Sequence, residues 1–215
     1  MPGKTTLVKH ATIYASYLLI LWGFYRVLVT LPDEVEEVIV KPIIWLVPLI
    51  YLLGKEKLNI ASLGITFKNL FPSIYLSLGL GSIFVIEALV SNYFKYHGFN
   101  FGANIGDQTL TLALGISLAT AVSEELAFRG YIFNRLNLAL KSEWVANLIT
   151  TALWTLMHVP MAIMIMKLTP GATVVYLILV AVFGFGSSYV FARTKNITSS
   201  ILLHILWSWP IILFR

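Results

Sequence analysis

The chain has no cysteine among its 215 residues. A disulfide framework, a thiolate metal site and a cysteine nucleophile are therefore excluded. Charge is almost as scarce: Asp, Glu, Lys and Arg together make up 12%, against about 25% in an average soluble domain. The basic residues are scattered between apolar stretches, so the net charge of +5 points to anionic lipid headgroups as partners and not to nucleic acid. There is no internal repeat, no low-complexity tract and no polar stretch long enough for a separate soluble domain. Residues 1–215 read as a single membrane-embedded domain.

What is abundant is apolar, 58% of the residues, and it runs from end to end. A helical span needs about 20 such residues, so the length accommodates about seven or eight spans with short connections. Only helices and closed barrels satisfy their backbone in lipid, and runs of this length are helical. The expected fold is an all-α, polytopic bundle, an integral multi-pass protein of the cell membrane. The first apolar run is of full span length and no A-x-A-like cleavage site follows, so it is expected to be retained and not to act as a signal peptide.

The spacing predicts a first span over 7–31 and a polar connection at Pro32 with Asp33, Glu34, Glu36 and Glu37. A second span, 38–53, contains Pro42 and Pro48 and is expected to bend. The third, 71–94, carries Ser77, Gly79, Gly81 and Ser82, a face for close packing, and Glu87 as a partner within the bundle. A polar connection from Lys95 to Asp107 follows. A helix over 109–140 would extend roughly 48 Å, longer than a bilayer core, so a break, tilt or protruding end is expected. Ser142 is the expected cap of a fifth helix that Pro160 disturbs. The sixth covers 172–191, with Gly184, Gly186, Ser187 and Ser188 for packing. Thr198 or Ser199 is expected to cap the last, which ends at Arg215. Asn196-Ile197-Thr198 reads as a helix start and not as a glycosylation site.

With the N-terminus inside, ten of the 15 Lys and Arg fall in inside segments and five, Arg26, Lys41, Lys95, Lys167 and Arg215, near the outside. This favours a cytoplasmic N-terminus. Arg26 is expected to snorkel, and His10 and His97 to sit at the interface. A polar cavity is expected to open toward the cytoplasm.

Ionisable groups within spans are expensive and usually functional. Ser123-Glu124-Glu125-Leu126-Ala127-Phe128-Arg129-Gly130 places two carboxylates and a guanidinium in such a run. On a helix, Glu125 and Arg129 are i,i+4 neighbours and can pair, while Glu124 points about 100° away and need not share that partner. One carboxylate is then structural and the other free to accept a proton. His158 lies just before Pro160, where the helix is weakened, and His204 is i,i+4 to Ser208. Glu124, His158 and His204 are expected to meet in one intramembrane site. The same three could hold Zn²⁺ as a two-His, one-carboxylate set, but no HExxH is present and no metal or other cofactor is expected. Ser123, Ser187 and Ser188 read as packing residues.

Glu124-Glu125-x-x-x-Arg129, then Trp154-x-x-x-His158, then His204-x-x-x-Ser208 resembles the CAAX protease and bacteriocin-processing family, which includes the Ras-converting endopeptidases and the Abi proteins. Phe183-x-x-x-Ser187 matches its remaining motif, and the resemblance covers about 120–210. It implies a glutamate-dependent, metal-independent intramembrane endopeptidase without an acyl-enzyme, acting on a peptide or protein that is lipid-modified in some members. Glu124 would be the general base and His158 would position the attacking water. His204 and Ser208 would stabilise the oxyanion, and Arg129 would order the motif through Glu125. Trp154 replaces the usual Phe. Ser208 replaces the usual Asn, and losing one oxyanion donor lowers rates by about 10²–10³. The competing readings are a non-proteolytic immunity or scaffold protein of the same family and a proton-coupled carrier; matching halves, the sign of a repeat-built carrier, are absent.

Overall fold

A computed structural model describes residues 2–102 and 108–214. Asp107 and Arg215, counted above in a polar connection and among the outer basic residues, lie outside them. Among the described residues there is no strand, and seven helices are long and apolar enough to cross a membrane: α1 (Lys4–Leu28), α2 (Asp33–Glu56), α3 (Leu70–Tyr96), α4 (Leu110–Leu140), α5 (Glu143–Ile165), α6 (Pro170–Thr194) and α7 (Ile197–Phe214). Their outward faces are apolar, as with Ile20 and Phe24 on α1, Ile43 and Val47 on α2, and Val175 and Ile178 on α6. The buried set includes Glu56, Arg129 and Arg135. Apolar outside and ionic inside is the distribution a lipid solvent imposes.

The helix starts follow capping chemistry. Thr109, Ser142 and Thr169 accept from the backbone N–H three residues on, at 3.3, 3.4 and 3.4 Å, which satisfies otherwise orphaned donors. For α7 the expected caps Thr198 and Ser199 give way to Asn196, whose Oδ1 accepts from Thr198 N at 2.9 Å. The largest departure is α2. It begins at Asp33, immediately after Pro32, so Glu36 and Glu37 lie within the helix and Glu36 is buried. Acidic side chains in a first helical turn are favoured by the exposed N–H groups, which explains why the acidic stretch winds instead of looping.

The long fourth helix is interrupted. Leu126–Phe133 winds as a π-helical stretch between α-helical parts, directly after Glu125; such widened turns are frequent at functional sites. A second π segment, Met161–Ile165, follows Pro160 in α5.

Contacts fix the helix directions. His10 with Glu56, Tyr14 with the Trp45 carbonyl and Tyr17 with that of Ile44 set α1 antiparallel to α2. Ser77 donates to the Ser199 carbonyl at 2.7 Å, and a Cβ on Gly81 would collide with Leu206, so α3 and α7 run side by side in the same sense. Of the packing face expected on α3, Ser77 and Gly81 pack against α7, whereas Ser82 is exposed and Gly79 has open space. The connections 57–69, 141–142 and 195–196 therefore share one end with the N-terminus.

That end is laced shut. Asn196 Nδ2 donates to the carbonyls of Thr66 and Lys68, Ile197 N to Gly64 O, and Arg135 Nη1 to Ser62 O. Gly64 has φ of +85° and would place a Cβ 2.7 Å from Phe191, so this turn requires glycine. Beneath it, Glu56 takes Arg135 Nε at 2.8 Å and the Tyr131 hydroxyl at 2.7 Å.

Candidate active site in the bilayer

Glu124 and Glu125, one residue apart on α4, enter different surroundings. Glu125 is fully buried. Its Oε1 accepts from Arg129 Nη1 at 2.9 Å and from His204 Nδ1 at 2.8 Å, and its Oε2 from the Ser187 hydroxyl at 2.7 Å. Arg129 also donates to the Gly184 carbonyl at 3.0 Å and lies 4.6 Å over the Trp154 ring. A buried carboxylate with three donors is held in place and has little capacity left for a reacting proton.

Glu124 faces the other way, into a cavity of about 200 Å³ bounded by Lys41, Glu37, Thr120, His158, Met161 and Tyr176, among others. Its Oε1 pairs with Lys41 Nζ. Lys41 also reaches Glu37 Oε2 at 2.7 Å, and that oxygen accepts from Thr120 at 2.7 Å. Arg26 pairs with Glu36 on the same wall and lies 3.9 Å from Glu37. It is a cavity residue in an ion pair, not the snorkelling residue expected.

His158 is half-buried on this cavity. Its Nδ1 lies 2.9 Å from the Trp154 carbonyl. A carbonyl only accepts, so the proton sits on Nδ1 and Nε2 is left as an acceptor. His204 neighbours Trp154 and Phe183. Its ring is 6.0 Å from that indole, against 4.6 Å for His158, and 4.8 Å from Phe183. Trp154 thus neighbours both imidazoles. The structure brings Glu124 and His158 to one cavity and His204 to Glu125 beside it. Ser208 Oγ lies 2.9 Å from Ser117 Oγ. Among the described residues no three His, Asp or Glu side chains form a metal-holding group.

The other candidates find ordinary places. Glu87 is half-buried and accepts from Ser91. His10 bonds Glu56 at 3.1 Å, and His97 is exposed at the end of α3. Sequence reasoning missed Lys41, Glu37, Thr120 and Tyr176. Lys41 four residues after Glu37, in an otherwise apolar run, was the available signal.

The cavity lies toward the end opposite the N-terminus. Arg26 is near the end of α1, Glu37 near the start of α2, Met161 near the end of α5 and Tyr176 near the start of α6. A neighbouring hollow of about 340 Å³ shares Arg26 and is lined by Val29, Thr30 and Leu31 of the first connection. A cytoplasmic N-terminus and a cavity open to the cytoplasm therefore exclude each other in this topology, a correction to their joint expectation.

Membrane-length helices and inward charges define an integral multi-pass membrane protein, with buried Glu124 and half-buried His158 lining one polar cavity. Residues 106–210, just under half of the chain, match the family model for type II CAAX prenyl endopeptidases, Rce1-like, and over this segment the protein is similar to that family of membrane proteases. The match contains all four motifs that carried the resemblance. No curated protein and no solved structure matches the chain.

Proposed function

We propose that the protein is a metal-independent glutamate endopeptidase that hydrolyses a peptide bond within the membrane, with Glu124 as general base. One observation carries this: Glu124 and His158 share a cavity, while the adjacent Glu125 is saturated by Arg129, Ser187 and His204. A water between Glu124 and His158 Nε2 would give its proton to the Glu124 carboxylate as its oxygen attacks the carbonyl carbon. The C–N bond then breaks and the proton passes from Glu124 to the leaving amine. Neither side chain becomes covalently attached to substrate.

His204 and Ser208 are proposed to stabilise the oxyanion from α7. The Nδ1 proton of His204 is committed to Glu125, so His204 donates to an oxyanion only as an imidazolium, and Ser208 must exchange its bond to Ser117. The substrate class is a peptide or protein, lipid-modified if the chain shares the preference in that family's description. With a cytoplasmic N-terminus, favoured by the basic residues of the laced end, the cavity opens on the extracytoplasmic face.

The test is purified protein in liposomes, offered peptides with and without a prenyl group, with products read by mass spectrometry. Cleavage that His158→Ala lowers by about 10²-fold or more supports the reading. Cleavage unchanged in that variant refutes it. A non-proteolytic family role is the second reading, favoured by the serine at 208 and its bond to Ser117.

A further inference from the structure

Three carboxylates and two cations form a ladder leading to the cavity: Glu36 with Arg26, Arg26 near Glu37, Glu37 with Lys41, and Lys41 with Glu124. All but Glu124 lie outside the matched segment 106–210. We infer that Lys41 is a positioning residue for the proposed hydrolysis, fixing the Glu124 carboxylate on the wall of the cavity it shares with His158.

Lys41 is 2% exposed, and its ammonium sits 5.4 Å over the Trp22 ring and 5.2 Å over that of Trp45. Two indole faces and the Glu37 carboxylate fix a cation there independently of Glu124. Glu37 is in turn held by Thr120, one helical turn before Glu124. The ammonium is thus pre-set at the point where Glu124 arrives. A carboxylate alone in a low-dielectric cavity keeps its proton and cannot act as a base; an adjacent fixed cation removes that penalty.

The count of charges shows why Lys41 does not simply neutralise the base. Glu36, Glu37 and Glu124 carry three negative charges against the two positive charges of Arg26 and Lys41. One negative charge is unmatched, and Lys41 shares itself between Glu37 and Glu124. Only Glu124 Oε1 pairs with Lys41, which leaves Oε2 for a water proton. The other groups within electrostatic reach are His158 on α5, Tyr176 on α6, and Arg129 and Glu125 on α4 itself, with His204 of α7 near His158. Arg129 and Glu125 pair with each other, and His158 keeps its only proton on Nδ1 toward Trp154. Lys41 is therefore the cation committed to Glu124.

This inference rests on Glu124 as the base, but one arm of its test needs no substrate. Dicyclohexylcarbodiimide adds to protonated carboxyl groups in apolar surroundings and can be followed at Glu124 by peptide mass spectrometry. In liposomes at neutral pH, Lys41→Met is expected to raise modification of Glu124 by about tenfold or more, and Lys41→Arg to restore protection. Equal modification of wild type and folded Lys41→Met overturns the inference. The reciprocal experiment covers a misfolded Lys41→Met: acylation of Lys41 by a membrane-permeant amine reagent should be severalfold faster in Glu37→Gln/Glu124→Gln than in Glu37→Gln alone, where Glu124 is the remaining carboxylate on Lys41, and equal rates overturn the inference. With a cleavable peptide, Lys41→Met should lower kcat by about tenfold or more at unchanged KM, with Lys41→Arg retaining most of the rate. Wild type that protects Glu124 but cleaves nothing would refute proteolysis and leave the placement of Lys41 standing. Wild type that cleaves, with carbodiimide modification no different in Lys41→Met, would refute the role of Lys41 alone.

Discussion

Glu124 and Glu125 are covalent neighbours with different cations: Glu124 pairs with Lys41 of α2, and Glu125 with Arg129 of its own helix at 2.9 Å. The 100° between successive side chains on a helix separates them. The π-helical stretch that begins at Leu126 then carries Arg129 into the dry side of the bundle, under Trp154.

Removing the cation on the dry side should damage folding. Arg129→Met strands the Glu125 charge where Ser187 and His204 are its remaining partners, a loss of about 3–5 kcal/mol for a broken buried pair. Thermal unfolding in detergent should show it, and Arg129→Met combined with Glu125→Gln should recover part of the loss. Wild-type stability in the single variant would mean that the pair is not structural.

Gly184 is a packing constraint on Trp154. A Cβ there would lie 2.9 Å from Trp154 Cδ1 and 3.4 Å from Arg129 Nη2. Gly184→Val is expected to destabilise by about 1–3 kcal/mol, as overpacking does, and to displace the indole that neighbours both histidines. Gly79→Ala, with nothing within 4 Å, is the control and should not lower the unfolding temperature, since alanine replaces glycine inside a helix without a clash.

Sidedness is directly measurable because the chain has no cysteine. Thr30→Cys reports the cavity end and Asn59→Cys the laced end. In intact cells a membrane-impermeant maleimide should label Thr30→Cys, and Asn59→Cys only after permeabilisation. The reverse pattern would place the cavity on the cytoplasmic face.

Metal independence makes its own demand. Cleavage should survive prolonged treatment with excess chelator at wild-type rate. Loss of activity that zinc restores would replace the proposed base with a metal-activated water.

The ionisable residues within apolar runs were legible because lipid makes such groups conspicuous. Glu124, Glu125, Arg129, His158 and His204 each appear in a span with few other charges. The Glu125–Arg129 pairing follows from i,i+4 spacing alone; the excess length of 109–140 over a bilayer signalled a break, tilt or protruding end but neither the π-helical stretch nor its position after Glu125. Partners distant in sequence were not legible. Nothing local tells His204 that its Nδ1 will meet Glu125, 79 positions earlier, or Lys41 that it will meet Glu124. The stretch 33–37 misled for a physical reason: four acids after a proline resemble a solvated connection, yet helix N-termini also favour acids. Reading it as a loop removed Glu36 and Glu37 from the site and left Arg26 and Lys41 without these partners.

The central claim is that the two adjacent glutamates divide chemistry from structure, and one paired measurement decides it. Glu124→Gln and Glu125→Gln are compared with wild type for peptide cleavage per folded molecule, alongside their unfolding temperatures. The account predicts that Glu124→Gln folds like wild type and loses about 10²-fold or more in cleavage rate, while Glu125→Gln unfolds at lower temperature. A Glu124→Gln protein that cleaves at the wild-type rate would contradict it.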